Sequence, residues 1–95
     1  MKATREQADA IAKSTGMPFG EGGAYSSGSY TPKGWRACCR MLARRGFSPE
    51  QIEEIMRSRW MRWAGYESPK RYGTFNSADL ARFMRGTTPD NYVMK

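Results

Sequence analysis

Histidine is absent from this 95-residue chain, which excludes imidazole as a general base, a proton shuttle or a metal ligand. Cysteine is scarce: Cys38 and Cys39 are the two present, and they are adjacent. Neighbouring cysteines in a helix do not suit a disulfide, and two soft ligands without histidine cannot complete a four-ligand zinc site. Both therefore read as reduced packing residues, with a thiol nucleophile as the alternative. No stretch approaches the ~18 apolar residues of a membrane span. The opening Lys2-Ala3-Thr4-Arg5-Glu6-Gln7 lacks the apolar run of a secretory signal, so the expected location is cytoplasmic. No Gly-Lys-Ser or Gly-Lys-Thr phosphate loop occurs. The carboxylates sit at helix starts, where capping explains them, so the chain reads as non-enzymatic, with no cofactor and no metal.

Acidic residues are also few. Nine Asp and Glu face sixteen Lys and Arg, for a net charge of +7. Residues 1 to 30 balance, with Lys2, Arg5 and Lys13 against Glu6, Asp9 and Glu21, so the excess falls in residues 31 to 95. Such a surplus fits a polyanion partner, because neutralising phosphates releases counterions, although solubility and helix-end electrostatics explain charge equally well. Twelve aromatic residues (three Trp, five Tyr, four Phe) argue for a folded chain with one modest core.

Periodicity predicts an all-α protein: a small bundle of three core helices at about 33-45, 49-64 and 77-85, with a weakly anchored N-terminal helix at about 3-14. In the last of these only Ala8, Ile11 and Ala12 offer an apolar face, and Gly16 is its expected stop. Residues 1-30 read as that helix plus a Gly/Ser/Tyr-rich linker, residues 31-86 as the helical core domain, and residues 87-95 as a frayed C-terminal tail. The linker has a functional alternative, a binding loop in which Phe19, Tyr25 and Tyr30 stack on a partner.

The first core helix opens at Thr31-Pro32 and closes at Gly46. Trp35, Cys38, Cys39 and Leu42 form its apolar face, while Lys33, Arg36, Arg40 and Arg44 share about a quarter of its circumference at ~100° per residue. No carboxylate of the same helix offsets that stripe. Like charges at i, i+4 are mildly destabilising, a tension that a polyanion relieves. The second helix has Ser48 as N-cap, Pro49 as first helical residue, Gln51 to close a capping box, and Phe47 to staple onto Ile52. Ile52, Ile55, Met56 and Trp63 face the core. Glu50, Glu53 and Glu54 lead it while Arg57, Arg59 and Arg62 trail, as the macrodipole favours. In the last helix Asn76 caps, Asp79 takes the capping-box position, Phe75 staples, and Leu80, Phe83 and Met84 close the core before Gly86.

Around the Gly46 corner, residues 38-57 resemble a helix-turn-helix motif, with Phe47 after the turn glycine and Ile52 and Ile55 at the branched apolar positions. Leu42 stands where that family has a small alanine. The resemblance implies DNA binding, but Glu50, Glu53 and Glu54 occupy the front of the helix that would enter the major groove, so contacts to phosphate are expected instead. Gly46-Phe47-Ser48 is also similar to the loop of ubiquitin-associated three-helix domains, with Arg45 where those have methionine. Arg57-Ser58-Arg59-Trp60-Met61-Arg62-Trp63-Ala64 resembles a segment of small uncharacterised bacteriophage and prophage proteins, which implies a protein that binds host machinery.

Two functional expectations follow. The first is a basic nucleic-acid-binding module, with DNA ahead of RNA, whose phosphate contacts come from Lys33, Arg36, Arg40, Arg44, Arg45, Arg57, Arg62, Lys70 and Arg71. The second is a phage-type protein that binds and inhibits or redirects a host protein through Trp60, Met61, Arg62 and Tyr66. No membrane partner is expected.

Overall fold

Thr4 and Gln7 open the first helix by exchanging bonds: the Thr4 N–H donates to Gln7 Oε1 (2.9 Å) and the Gln7 N–H to Thr4 Oγ1 (3.1 Å). This reciprocal cap satisfies two backbone donors that a helix start leaves without partners. The computed structural model describes residues 1–15, 32–58 and 77–94, the side chains of Pro32 and Asp79 excepted. Within them lie α1 (Arg5–Thr15), α2 (Pro32–Arg44), α3 (Pro49–Arg57) and α4 (Ser77–Phe83), and the protein is a small all-α bundle. The Thr31 and Asn76 caps and the Gly16 stop lie outside the described residues, as do Phe19, Tyr25, Tyr30, Arg59 and Trp63.

The corner between α2 and α3 is fixed from both sides. Gly46 takes φ +97°, its N–H donates to the Ala43 carbonyl (3.0 Å), and the Phe47 N–H reaches back to the Leu42 carbonyl (3.2 Å). That bond pair is a Schellman motif, in which the left-handed residue is glycine because a Cβ disfavours that backbone conformation. On the far side, Ser48 accepts from the Gln51 N–H (3.1 Å) while Gln51 Oε1 accepts from the Ser48 N–H (2.9 Å). Phe47 and Ile52, the two ends of the expected staple, are both fully buried.

α3 is shorter than the 49-64 expected from periodicity. It ends at Arg57, where Ser58 is extended (ψ 150°) and its N–H donates to the Ile55 carbonyl (3.2 Å). Serine competes poorly for helix interiors because local alternatives satisfy its backbone, and the apolar periodicity beyond it carries no information about that competition.

Trp35, Cys38, Cys39, Leu42, Phe47, Ile52, Met56 and Leu80 are essentially without exposure and form the centre of the core. Fully burying a side chain such as Leu42 or Ile52 contributes roughly 1.5–3 kcal/mol, so these positions dominate stability. α1 joins them and is not weakly anchored: Ala3, Ala8, Ile11 and Ala12 belong to the same core, and α1 packs on both α2 and α3. Its alanines are small enough to let two helix backbones approach closely, so a face poor in large side chains still docks. A polar relay adds direction, since the Trp35 indole N–H donates to Thr15 Oγ1 (3.0 Å) and that hydroxyl donates to the Ile11 carbonyl (2.6 Å). Thr15 is 1% exposed, so its hydroxyl meets both partners away from water.

Phe83 does not close the core; it is 43% exposed, while Leu80 and Met84 are buried and Ala81 packs against them. At ~100° per residue, Ala81 and Met84 lie to one side of Leu80 and Phe83 to the other, so the buried arc is rotated away from the phenyl ring.

Residues 87–94 do not fray. The Gln51 Nε2 amide donates to the Pro89 carbonyl (3.0 Å), and Tyr92 lies edge-on to Phe47 at 6.3 Å with its hydroxyl donating to Glu54 Oε1. Thr88 and Asn91 bond each other reciprocally, and Asn91 Nδ2 donates to the Gly86 carbonyl (3.0 Å). The segment is thus a strap laid over the α2–α3 corner, tied by contacts of long sequence separation.

Candidate nucleic-acid interface

Burial of Trp35, Cys38, Cys39 and Leu42 fixes the rotation of α2, and with it the direction of the basic stripe. Lys33 and Arg44 are exposed, and Arg36 and Arg40 are half-buried on the same face. The four expected cations of α2 therefore do share one surface, but they are not equivalent.

Arg40 is engaged by a carboxylate from another helix. Its Nε donates to Asp9 Oδ1 (2.7 Å) and its Nη2 to Asp9 Oδ2 (2.9 Å), a bidentate pair linking α1 to α2. The Arg40 hydrogen bond holds the Asp9 carboxyl below its usual range, with the charges of Arg40, Arg5 and Arg36 adding to it against the desolvation of the site. The same bond pushes the Arg40 guanidinium up. Arg40 thus corrects the expectation of a stripe without acids: the acid that α2 lacks comes from α1. It lies 31 residues away, beyond any helical spacing rule.

Two open grooves flank this pair. One, of about 240 Å³, is lined by Lys33, Arg36, Ala37, Arg40, Arg44 and Ser77, where α4 begins. The other, of about 390 Å³, is lined by Lys2, Ala3, Arg5, Arg40, Ala43 and Arg44. Arg40 and Arg44 line both, so the cationic surface runs from the start of α2 past its last turn to the N-terminal segment. Lys2, Arg5, Lys33, Arg36 and Arg44 make no ion pair among the described residues.

Lys2 and Arg5 were not among the expected contacts, because the charge of residues 1 to 30 sums to zero. The docking of α1 makes them neighbours of Arg44. The signal for α1 as a defined helix was present in the capping-box spacing of Thr4-Arg5-Glu6-Gln7, with Gln7 three positions after Thr4.

The remaining expected contacts divide. Arg45 is exposed at the end of α2, where its N–H donates to the Met41 and Leu42 carbonyls. Arg57 pairs with Glu53 at 3.0 Å on the exposed face of α3, an i, i+4 bridge of the kind that contributes only a few tenths of a kcal/mol. With Glu50 and Glu53 exposed and Glu54 bonded to Tyr92, the outer face of α3 is lined by carboxylates that repel phosphate. Arg62, Lys70 and Arg71, and the alternative set Trp60, Met61, Arg62 and Tyr66, lie outside the described residues.

Cys38 and Cys39 are buried and free of disulfides, as packing residues should be. Burial, reinforced by the Asp9 charge, pushes the Cys39 thiol up to about 12, which leaves it protonated at neutral pH and a poor nucleophile. Among the described residues no cluster of three carboxylate or cysteine side chains could hold a metal ion, and no helix is long and apolar enough to cross a membrane. Comparison with protein-family models, curated proteins and solved structures finds no match for this chain.

Proposed function

We propose that this chain is a small, basic, non-enzymatic module that binds nucleic acid through its phosphate backbone. The observation that carries the reading is the cationic surface on which Lys33, Arg36 and Arg44 make no ion pair among the described residues, beside an Arg40 already held by Asp9. Unpaired like charges on one helix face repel one another, and a polyanion relieves that repulsion while releasing its own counterions. Lys2 and Arg5 extend the surface beyond α2. The front of α3, which the helix-turn-helix resemblance would send into the major groove, is acidic and is given no contact role. Backbone contacts of this kind position a nucleic acid without reading its bases.

The test is the salt dependence of binding to duplex and single-stranded DNA and to RNA. Changing Lys33, Arg36 and Arg44 together to alanine is expected to weaken binding and to lower the slope of log K against log salt by up to ~0.9 per lost phosphate contact on B-form DNA. Arg40→Ala is expected to lower the slope less than Arg44→Ala, because Asp9 already occupies two of the Arg40 N–H groups that would otherwise contact phosphate. If no nucleic acid is retained even at low salt, the reading is wrong. A pull-down that recovers a host protein unaffected by nuclease would then favour the protein-binding alternative.

A further inference from the structure

The groove between the N-terminal segment and the last turns of α2 differs from the stripe along α2. Four cationic side chains converge on it, Lys2 from the N-terminal segment, Arg5 from α1, and Arg40 and Arg44 from α2, while the buried Ala3 and Ala43 present nothing larger than a methyl group. No carboxylate lines it among the described residues, and since Asp9 offsets the charge of Arg40 from behind, the net positive charge of the groove comes from Lys2, Arg5 and Arg44. A concavity walled by one sign of charge focuses potential more strongly than a flat row of the same charges. Asp9 takes the Nε and one Nη2 N–H of Arg40 from α1, so the guanidinium is held in one orientation, with no acceptor on its Nη1 edge among the described residues. Ala3 is itself held in place, because its N–H donates to the Phe47 carbonyl at 3.0 Å. The groove is therefore built on the core and does not depend on a loose terminus.

We propose that this groove is a binding site for a phosphomonoester dianion, the group carried by the phosphorylated end of a nucleic-acid strand or by a free phosphate. A monoester carries about −1.5 to −2 at pH 7, against −1 for each internal diester, so converging cations select the end over the middle of a strand. A terminal group also enters a concavity that a continuous backbone must bridge. The proposal rests on the nucleic-acid reading only for the strand end as source; a free phosphate would occupy the same site without it.

The experiment compares, on the full chain at low salt, the same oligonucleotide bearing a 5′-phosphate or a 5′-hydroxyl, with inorganic phosphate titrated separately and followed by the amide NMR signals of Ala3 and Ala43. The 5′-phosphate is expected to tighten binding at least threefold, and K2A/R5A is expected to abolish that difference. Both side chains are exposed, and circular dichroism checks that the variant folds. A second variant, R44Q, should also reduce the difference. Preference for inorganic phosphate at the Ala3 and Ala43 amides, with neither oligonucleotide bound, identifies free phosphate as the source and rejects the nucleic-acid reading alone. Equal binding of the two oligonucleotides, with no shift of these amides by inorganic phosphate, overturns the groove as a monoester site and leaves the backbone reading standing.

Discussion

Replacing Thr15 by valine keeps the shape of the side chain and deletes its hydroxyl. In the native fold that hydroxyl accepts from the Trp35 indole at 3.0 Å and donates to the Ile11 carbonyl at 2.6 Å, with both Thr15 and Trp35 1% exposed. The indole N–H then loses its Thr15 acceptor at a site only 1% exposed, and a buried donor deprived of its acceptor costs about 1–3 kcal/mol. Because valine adds some apolar burial, a net loss near the middle of that range is expected, read as a shift in urea midpoint at constant m-value. In a domain of this size each kcal/mol corresponds to a Tm change of roughly 4–8 °C. Thr15→Ser is the control: it keeps the hydroxyl and removes one methyl, worth ~0.8 kcal/mol. Trp35→Phe supplies the second arm, since it removes the donor. In that background the Thr15→Val cost should shrink markedly, because no indole N–H remains to be orphaned. A Thr15→Val cost unchanged by Trp35→Phe would refute the relay as an energetic link between α1 and α2.

Gly46→Ala tests the corner: at φ +97° the strain of a Cβ is expected to cost about 1–2 kcal/mol by denaturant titration, while the nearest atom the Cβ would meet, Pro89 Cγ at 3.6 Å, is at ordinary contact distance. A larger loss would mean that the strap, and not the backbone, sets the penalty. The strap has its own pH signature. Burial, together with the bond to Glu54, pushes the Tyr92 phenol up to about 12, above its unfolded value near 10. A raised folded-state pKa contributes stability that is complete below about pH 10 and is lost as pH rises toward 12. Tyr92→Phe should flatten the stability profile across that window, and an unchanged profile would remove Tyr92 as its source.

The helix ends were legible because capping is local. Ser48 with Gln51 and Gly46 behind Leu42 act within a few residues of one another, so spacing along the chain is enough to locate the start of α3 and the end of α2; the same spacing of Thr4 and Gln7 at the start of α1 was not read. Where local patterns compete, spacing was insufficient: apolar periodicity past Ser58 extended α3, and Phe83 fell on the wrong side of an arc whose rotation only its neighbours define. The large apolar residues of α2 and α3 were identified as core for the same local reason, through their shared helix face.

Residue types and helical period, then, determined by themselves that this is an all-α protein with a rigid corner and a basic face on α2. Only the tertiary structure decided which cations on that face are available and which others join them. Asp9 meets Arg40 across 31 residues, Thr15 meets Trp35 across 20, and Pro89 meets Gln51 across 38. No periodicity rule spans such separations, because what joins these residues is the packing of helix on helix. The small alanines that let α1 settle onto α2 also carried Lys2 and Arg5 to the side of Arg44, turning a neutral N-terminal segment into one wall of a cationic groove.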